Sequence, residues 1–243
     1  MDGYLPNPAY VDYQARYAVE PRESDKALIR LLGDALGGVS APRILDVGCS
    51  TGNLLKHLQA VFPDALLQGG DAAADAVEAC SLDPELANVD VRLMDVTEIP
   101  TDDLDAVIVN AVLFSLDGDA FGRALSSISS SLRSGGVFAN FEFYHPFPQE
   151  LKIIERSESY PDGATLHWRS MSAVEQLLLR HGFSDVAFHP FEIPIDLDGA
   201  IYGDNATGYE SLNSFTRRLE GGMRLIFRGA LAQPWCHVIA RKA

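Results

Sequence analysis

A glycine-rich stretch between residues 44 and 58 constrains the fold of this 243-residue chain more than any other feature. Residues 44–47 read Ile-Leu-Asp-Val, an apolar run that is typical of a buried parallel strand. Gly48 and Gly52 follow, and leucines then recur at helical spacing. The stretch therefore predicts a strand, a tight turn that needs glycine and the start of a helix, an arrangement that can bring backbone N–H groups to a ligand.

Two familiar kinds of turn fit this stretch only in part. A dinucleotide-binding loop would have glycine where Ser50 stands, and Asp46 would repel a pyrophosphate, whereas a carboxylate suits a ligand with an ammonium group. Residues 48–52 also match Gly-x-Ser-x-Gly, in which Ser50 would be the nucleophile of an α/β-hydrolase. That pattern comes very early in this chain, and no His-Gly-Gly oxyanion loop precedes it.

Residues 46–52, Asp-Val-Gly-Cys-Ser-Thr-Gly, resemble the first motif of the class I S-adenosylmethionine-dependent methyltransferases. This resemblance implies an α/β fold, a Rossmann-like doubly wound sheet of seven strands in the order 3-2-1-4-5-7-6, with the last strand antiparallel. It also implies S-adenosylmethionine as the cofactor and S-adenosylhomocysteine as the product. The resemblance covers about residues 43–188 and 234–242.

Later acidic residues fall where this family places its cofactor contacts. Asp71 ends the second predicted strand, 19 residues after Gly52, where an acid can accept hydrogen bonds from both ribose hydroxyls; the alternative is a helix N-cap. Asp95 and Val96 match the family's adenine contacts, although Asp95 alone is equally typical of a loop. The residues expected to bind the cofactor are Asp46, Gly48, Cys49, Ser50, Gly52, Asn53, Asp71, Ala72, Asp95, Val96, Asn110 and Ala111.

The methyl acceptor is expected at the same edge of the sheet, because ligands of open α/β sheets bind outside the carboxyl ends of the strands. His145 is the first candidate for a general base, since imidazole transfers protons near neutral pH, and Tyr144 is the second catalytic candidate. A histidine before Pro146 is also an ordinary turn residue. The residues expected to bind the acceptor are Phe114, Tyr144, His145 and Trp168.

The chain is predicted to be a single domain, residues 1–243, with two segments outside the core. Residues 1–40 include a Tyr- and Pro-rich arm and an amphipathic helix, and they are expected either to cover the site as a lid or only to adhere. Residues 190–222 are expected to form a second, lid-like insertion or an interface. A capping box at Ser172 and Glu175 predicts the start of a late helix, and 215–227 is a further candidate helix.

Composition limits the kinds of binding partner and the cellular compartment that are expected for this protein. The net charge of −15 disfavours nucleic acid and anionic membranes, and no run is long and apolar enough to span a membrane. Without a signal-peptide pattern, and with three dispersed cysteines, a cytoplasmic protein with reduced thiols is expected. The histidine spacing predicts no metal site.

The expected partner is a small or medium metabolite, and a homodimer is compatible with the sequence. Two alternatives to a methyltransferase stay open. The first is a non-catalytic protein of the same fold that binds S-adenosylmethionine or acts as a scaffold, and the second is the α/β-hydrolase that would use Ser50.

Overall fold

The structure is a computed structural model, and it describes residues 8–156, 163–191, 216–218, 224–226 and 234–243. The helices of the described residues are α1 (Pro8–Arg16), α2 (Glu23–Leu36), α3 (Asn53–Val61), α4 (Ala74–Leu82), α5 (Gly118–Ser131) and α6 (Met171–Arg180). The strands are β1 (Arg43–Val47), β2 (Leu66–Asp71), β3 (Asp90–Leu93), β4 (Leu104–Asn110), β5 (Leu132–His145), β6 (Leu151–Glu155), β7 (Ala164–Ser170), β8 (Phe183–Pro190), β9 (Thr216–Arg218), β10 (Arg224–Ile226) and β11 (Trp235–Lys242).

The main sheet has the order β3-β2-β1-β4-β5-β11-β8. The pairs from β3 to β5 are parallel, whereas β11 runs antiparallel to both β5 and β8. If the inserted strands β6 and β7 and the separate pair β9 and β10 are left out of the count, this is the order 3-2-1-4-5-7-6 with an antiparallel last strand. The predicted fold class is therefore confirmed.

The segment after β5 adds two strands to that plan. β6 and β7 form an antiparallel hairpin, and β7 joins the end of β5 in parallel through Tyr144 and His145. The pairing of these strands cannot be recognised from the sequence. The hairpin brings Trp168 to the carboxyl edge of β5, where the acceptor is expected.

Helices cover both faces of the sheet, as the apolar strands require. On one face, α2 and α3 bury Leu28, Leu32 and Leu55 against β1 and β4. On the other face, α5 and α6 bury residues such as Phe121 and Leu178. Burial of leucines along one stripe of α2 matches the predicted amphipathic helix.

Two local predictions were wrong. Helix α6 begins two residues earlier than the capping box implies, because Ser170 is the N-cap and its Oγ accepts the Ala173 N–H at 3.2 Å. The candidate helix over 215–227 is replaced, where the chain is described, by the antiparallel strands β9 and β10. Most of the predicted insertion at 190–222 lies outside the described residues. Among the described helices, none has the length and apolarity to cross a membrane.

Candidate functional site

The turn after β1 depends on two glycines with left-handed backbone angles. Gly48 has φ +81° and Gly52 has φ +77°. A Cβ on Gly48 would overlap Cγ2 of Val112, and a Cβ on Gly52 would overlap Cδ1 of Leu86. Both positions therefore exclude any side chain for reasons of conformation and of space.

Asp71 is tied to this turn by backbone hydrogen bonds. The Ser50 N–H donates to Oδ2 of Asp71 at 2.8 Å, and the Ala73 N–H donates to Oδ1 at 2.9 Å. The carboxylate is buried, and each of its oxygens keeps capacity for a further hydrogen bond. Asp71 is not the N-cap of α4, because Ala73 occupies that position.

A second buried acid lies beside the turn. Asp46 is 2% exposed, and its Oδ1 has no hydrogen-bond partner in the part of the chain that the structure describes. Burial, reinforced by the negative charges of Asp25 and Asp71, raises the pKa of Asp46 to about 8. A cation placed against this carboxyl group would reverse that shift.

The N-terminal end of α2 contributes a charged cluster that the sequence reasoning missed. Arg22 binds both carboxylate oxygens of Asp25, through Nε at 2.7 Å and Nη2 at 2.9 Å. Nδ2 of Asn110, at the end of β4, donates to Oδ1 of Asp25 at 3.0 Å. The Arg–Asp pair at i,i+3 was readable as a helical ion pair, but its proximity to β4 depends on tertiary packing.

Helix α1 lies directly over the glycine turn. The hydroxyls of Tyr10 and Ser50 are 2.6 Å apart, and Nδ2 of Asn53 donates to the main-chain oxygen of Gln14 at 2.8 Å. Ser50 thus has a tyrosine, and no histidine, as its side-chain partner among the described residues. This arrangement gives no support to the hydrolase reading.

The Cys49 side chain is buried, and its thiol donates to the Ser50 carbonyl at 3.9 Å. Its thiol is hydrogen-bonded to that of Cys80, and the Cys80 Sγ donates to the Ser50 carbonyl at 3.1 Å. Both thiols are buried and free, so Cys49 can offer a ligand only its backbone.

The adenine candidates occupy the loop after β3. Asp95 is exposed, and its Oδ1 accepts the N–H and the hydroxyl of Thr97, both at 2.8 Å. This is the Asx turn that the loop interpretation predicts, and it leaves Oδ2 available. Val96 is buried in the core, and Ala72 is exposed.

The turn after β4 lies on the acceptor side of the site and is held by the side chain of Glu142. Ala111 has φ +58°, and Glu142 accepts the N–H groups of the next three residues, at 2.7 Å from Val112, 2.6 Å from Leu113 and 3.0 Å from Phe114. Burial raises the pKa of Glu142 to about 7 although these hydrogen bonds oppose the shift. The Glu142 carboxylate thereby fixes the position of the Phe114 ring.

Rings line the ends of β5 and β7. Phe143 is 5.3 Å from Phe114 and 5.6 Å from Trp168, measured between ring centroids. His145 lies on the same face of β5 as Phe143, because alternate residues share a face. Tyr144 lies on the opposite face, where its buried hydroxyl donates to Oδ1 of Asn140 at 2.7 Å. Tyr144 is therefore kept apart from the other predicted acceptor residues.

Comparison with known proteins agrees with this geometry. Residues 44–136 match a family model described as a methyltransferase domain. Malonyl-(acyl-carrier protein) O-methyltransferase of Acetivibrio thermocellus is 30% identical over 155 residues, which cover 60% of this chain and 54% of the relative. Residues 44–136 of this chain are therefore similar in sequence to a methyltransferase domain.

Other proteins that this chain resembles are named for different kinds of methyl transfer. The ubiquinone/menaquinone biosynthesis C-methyltransferase of Desulfotalea psychrophila is 24% identical, over 64% of this chain and 71% of the relative. The solved 1,6-didemethyltoxoflavin-N1-methyltransferase of Burkholderia thailandensis has a TM-score of 0.57 at 16% identity, covering 97% of this chain and 86% of that one. The chain spans about half the length of the first curated relatives that it matches. The structural likeness establishes the fold.

Proposed function

We propose that the protein transfers a methyl group from S-adenosylmethionine to a small or medium metabolite by in-line displacement. The observation that carries the proposal is the Asp71 carboxylate, which the Ser50 and Ala73 amides hold at the glycine turn. There its remaining lone pairs can accept the two ribose hydroxyls. The family match at 44–136 supports this reading.

The charges beside the turn suit the methionine end of the cofactor. The unpartnered Oδ1 of Asp46 is an acceptor for its ammonium group. Arg22 is partly exposed and keeps two N–H groups beyond those bound by Asp25 and Tyr13, which suits its carboxylate. The buried acids Asp25, Asp46 and Asp71 also favour the positive sulfonium. Asp95, with Val96 beside it, would receive the adenine.

The residues on this edge would act mainly by orientation. Bound S-adenosylmethionine would supply the methyl group and a neutral leaving thioether. The Gly48 and Gly52 turn would position it, and Asn110 and Ala111 would face its reactive end. If the acceptor is a hydroxyl group, His145 would take its proton. Alignment and exclusion of water would supply most of the acceleration.

The first 40 residues are proposed to act as a cover for the cofactor. The contacts of Tyr10 and Gln14 with the glycine turn support this role. A ligand bound in the turn would be shielded from water by α1, which must move for exchange. The acceptor is proposed to be small because the relatives include a protein that binds 1,6-didemethyltoxoflavin.

Calorimetry with S-adenosylmethionine and S-adenosylhomocysteine tests the proposal. Wild-type protein should bind both at micromolar concentration, and Asp71→Ala should weaken binding at least tenfold. Asp90→Ala is the matched control, because Asp90 is an acid on the neighbouring strand that pairs only with exposed Arg92. Failure of the wild type to bind either compound would overturn the proposal.

The alternative without catalysis predicts a different pattern. A scaffold of this fold would bind the cofactor tightly and yet transfer no methyl group to any acceptor. A hydrolase would lose ester turnover on Ser50→Ala, whereas the proposed methyltransferase should tolerate that change with modest loss. A homodimer stays a prediction for solution measurements.

A further inference from the structure

The buried side-chain polar atoms that lack a hydrogen-bond partner among the described residues lie at the carboxyl edge of the sheet. Among the described residues, three have buried side-chain polar atoms without a partner, namely Asp46 at Oδ1, His145 at both ring nitrogens and Trp168 at Nε1. Buried polar groups in native proteins are nearly always paired, and each exception calls for an explanation.

These three residues share one face of the sheet at its carboxyl edge. Directly paired residues point to the same face, and the pairs Asp46–Ile108 and Ile108–Ala139 connect β1 with β5. Ala139 and His145 share that face because their positions in β5 differ by six, an even number. Trp168 joins them through its ring contact with Phe143. All the unpartnered groups therefore lie where ligands of this fold bind.

The two ends of this face differ in chemistry. Asp46 lies among acids and belongs to the proposed cofactor site. His145 and Trp168 lie among rings, where Phe143 is 5.6 Å from Trp168 and 4.1 Å from Trp235. Such a wall offers stacking to a planar ring and little solvation to an ionised group.

The unpartnered atoms specify the polar group of the ligand. Indole Nε1 can only donate, so Trp168 needs an acceptor. A neutral imidazole has one donor and one acceptor nitrogen, so His145 can receive a proton from the ligand. A hydroxyl group is the smallest group that meets both demands at once.

We propose that the acceptor is a planar aromatic ring bearing a hydroxyl group, which packs against Trp168 with the hydroxyl directed to His145. This inference rests on the proposed methyl transfer and names its substrate class. The acceptor oxygen forms a bond to the methyl carbon while the carbon–sulfur bond breaks and its electron pair stays on sulfur. The hydroxyl proton passes to His145, which becomes an imidazolium and later releases the proton to water.

The requirement for an aromatic ring is tested with pairs of ligands that share one carbon skeleton and differ in being aromatic or saturated. With saturating S-adenosylhomocysteine, calorimetry compares catechol with trans-1,2-cyclohexanediol, and 2-naphthol with 2-decalol. Binding rather than turnover is measured, because phenols are more acidic than aliphatic alcohols and would react faster in any site. Each aromatic compound should bind at least tenfold more tightly than its saturated partner. Equal affinities, a preference for the saturated partner, or no binding of either member would overturn the proposal.

Variants test the polar contacts. Trp168→Phe keeps a ring and removes the donor, and it should weaken 2-naphthol binding about fivefold, since a net hydrogen bond contributes about 1 kcal/mol. His145→Phe should do the same and should also slow methyl transfer to 2-naphthol at saturating concentrations of both substrates. His181→Gln, at the end of α6, is the control without effect. Unchanged 2-naphthol affinity in both variants would contradict the assignment.

The binding measurements distinguish a failure of the aromatic-acceptor proposal from a failure of the proposed methyl transfer on which it rests. S-adenosylhomocysteine affinity should be the same in the wild type, Trp168→Phe and His145→Phe. If the wild type does not bind S-adenosylhomocysteine, the proposed function fails. If it binds that compound but prefers saturated alcohols, only the aromatic acceptor fails.

Discussion

The carboxyl edge of the sheet has two ends that were built in different ways. The cofactor end, defined here as Asp46, the turn 48–52 and Asp71, comes from two consecutive strands and is held by backbone hydrogen bonds. The acceptor end, defined as Phe143, His145, Trp168 and Trp235, joins three strands that are far apart in sequence. Charge and glycine dominate the first end, and aromatic rings dominate the second.

This difference indicates which features a family can share and which vary. The cofactor end depends on close backbone approach, so a few glycines and acids at fixed spacing define it. The acceptor end depends on side-chain volume and on an inserted hairpin, β6–β7. Substitutions at the cofactor end should therefore act on cofactor affinity, and substitutions at the acceptor end on the acceptor alone.

The largest effect is expected from Gly48→Ala. The added Cβ would overlap Val112, and φ of +81° is strained for alanine, so the turn must move. Affinity for S-adenosylhomocysteine should fall at least a hundredfold by calorimetry. Gly122→Ala in α5 is the control, because nothing lies within 4 Å of its Cβ and alanine favours a helix. Retained affinity in Gly48→Ala would show that the cofactor end does not depend on backbone approach.

Asp46→Asn should have opposite effects on binding and on stability. The pKa of Asp46 is raised from 3.8 to about 8, so the folded state holds a proton that the unfolded chain releases. This group therefore lowers the free energy of unfolding as pH rises from about 4 to 8. The Asn variant lacks this decrease in the free energy of unfolding. Thermal denaturation at pH 8.5 without ligand should therefore show that the variant is more stable than the wild type, by a few kcal/mol at most.

Cofactor binding should respond to Asp46→Asn in the other direction. The variant should bind S-adenosylhomocysteine about tenfold more weakly, because the ammonium group loses a charged acceptor. Wild-type affinity should increase with pH up to about 8, and the variant should lack this increase. A variant that binds as tightly as the wild type would remove Asp46 from the cofactor end.

His237, in β11 beneath the acceptor end, should give a smaller effect on stability. Its Nε2 lies 3.0 Å from the Ser24 carbonyl, and burial lowers its pKa from 6.5 to about 4. The unfolded chain therefore binds a proton first, and stability falls as pH drops from about 6.5 to 4. At pH 5 this loss is about 2 kcal/mol. Denaturation of His237→Gln should show a shallower pH dependence, and parallel curves would refute the assignment.

The smallest effect is expected at Asp95, where the site is most exposed. One hydrogen bond from the adenine amino group contributes about 1 kcal/mol, so Asp95→Ala should weaken S-adenosylhomocysteine binding about fivefold. S-inosylhomocysteine lacks that amino group, and the wild type should prefer the adenosyl compound. If Asp95→Ala keeps the preference, Asp95 is only the Asx-turn residue that pairs with Thr97.

The cofactor end could be predicted from the sequence more completely than the acceptor end. The turn and Asp71 were predictable because their roles follow from local backbone geometry and from the length of one βαβ unit. The fold followed with them through the family resemblance. Trp168 was named from its residue type, but its contact with Phe143 depends on the pairing of β7 with β5. The pairing register of two strands that are separated in sequence cannot be recognised from the residues around either strand.

Tyr144 shows the limit most clearly. The sequence placed Tyr144 beside His145 as a second catalytic candidate. Because β5 continues through both residues, they point to opposite faces of the sheet, and the Tyr144 hydroxyl binds Asn140 instead. The sequence does not show that β5 continues as far as His145, so the alternation of side chains could not be applied to these two residues.

The most direct test of the two-ended edge is a crystal structure of the protein with S-adenosylhomocysteine. The account predicts the ribose hydroxyls within hydrogen-bond distance of Asp71, the ammonium group against Oδ1 of Asp46 and the sulfur facing Phe143 and Trp168. The same compound bound with its ribose away from Asp71, or with its sulfur directed away from the aromatic residues, would contradict it.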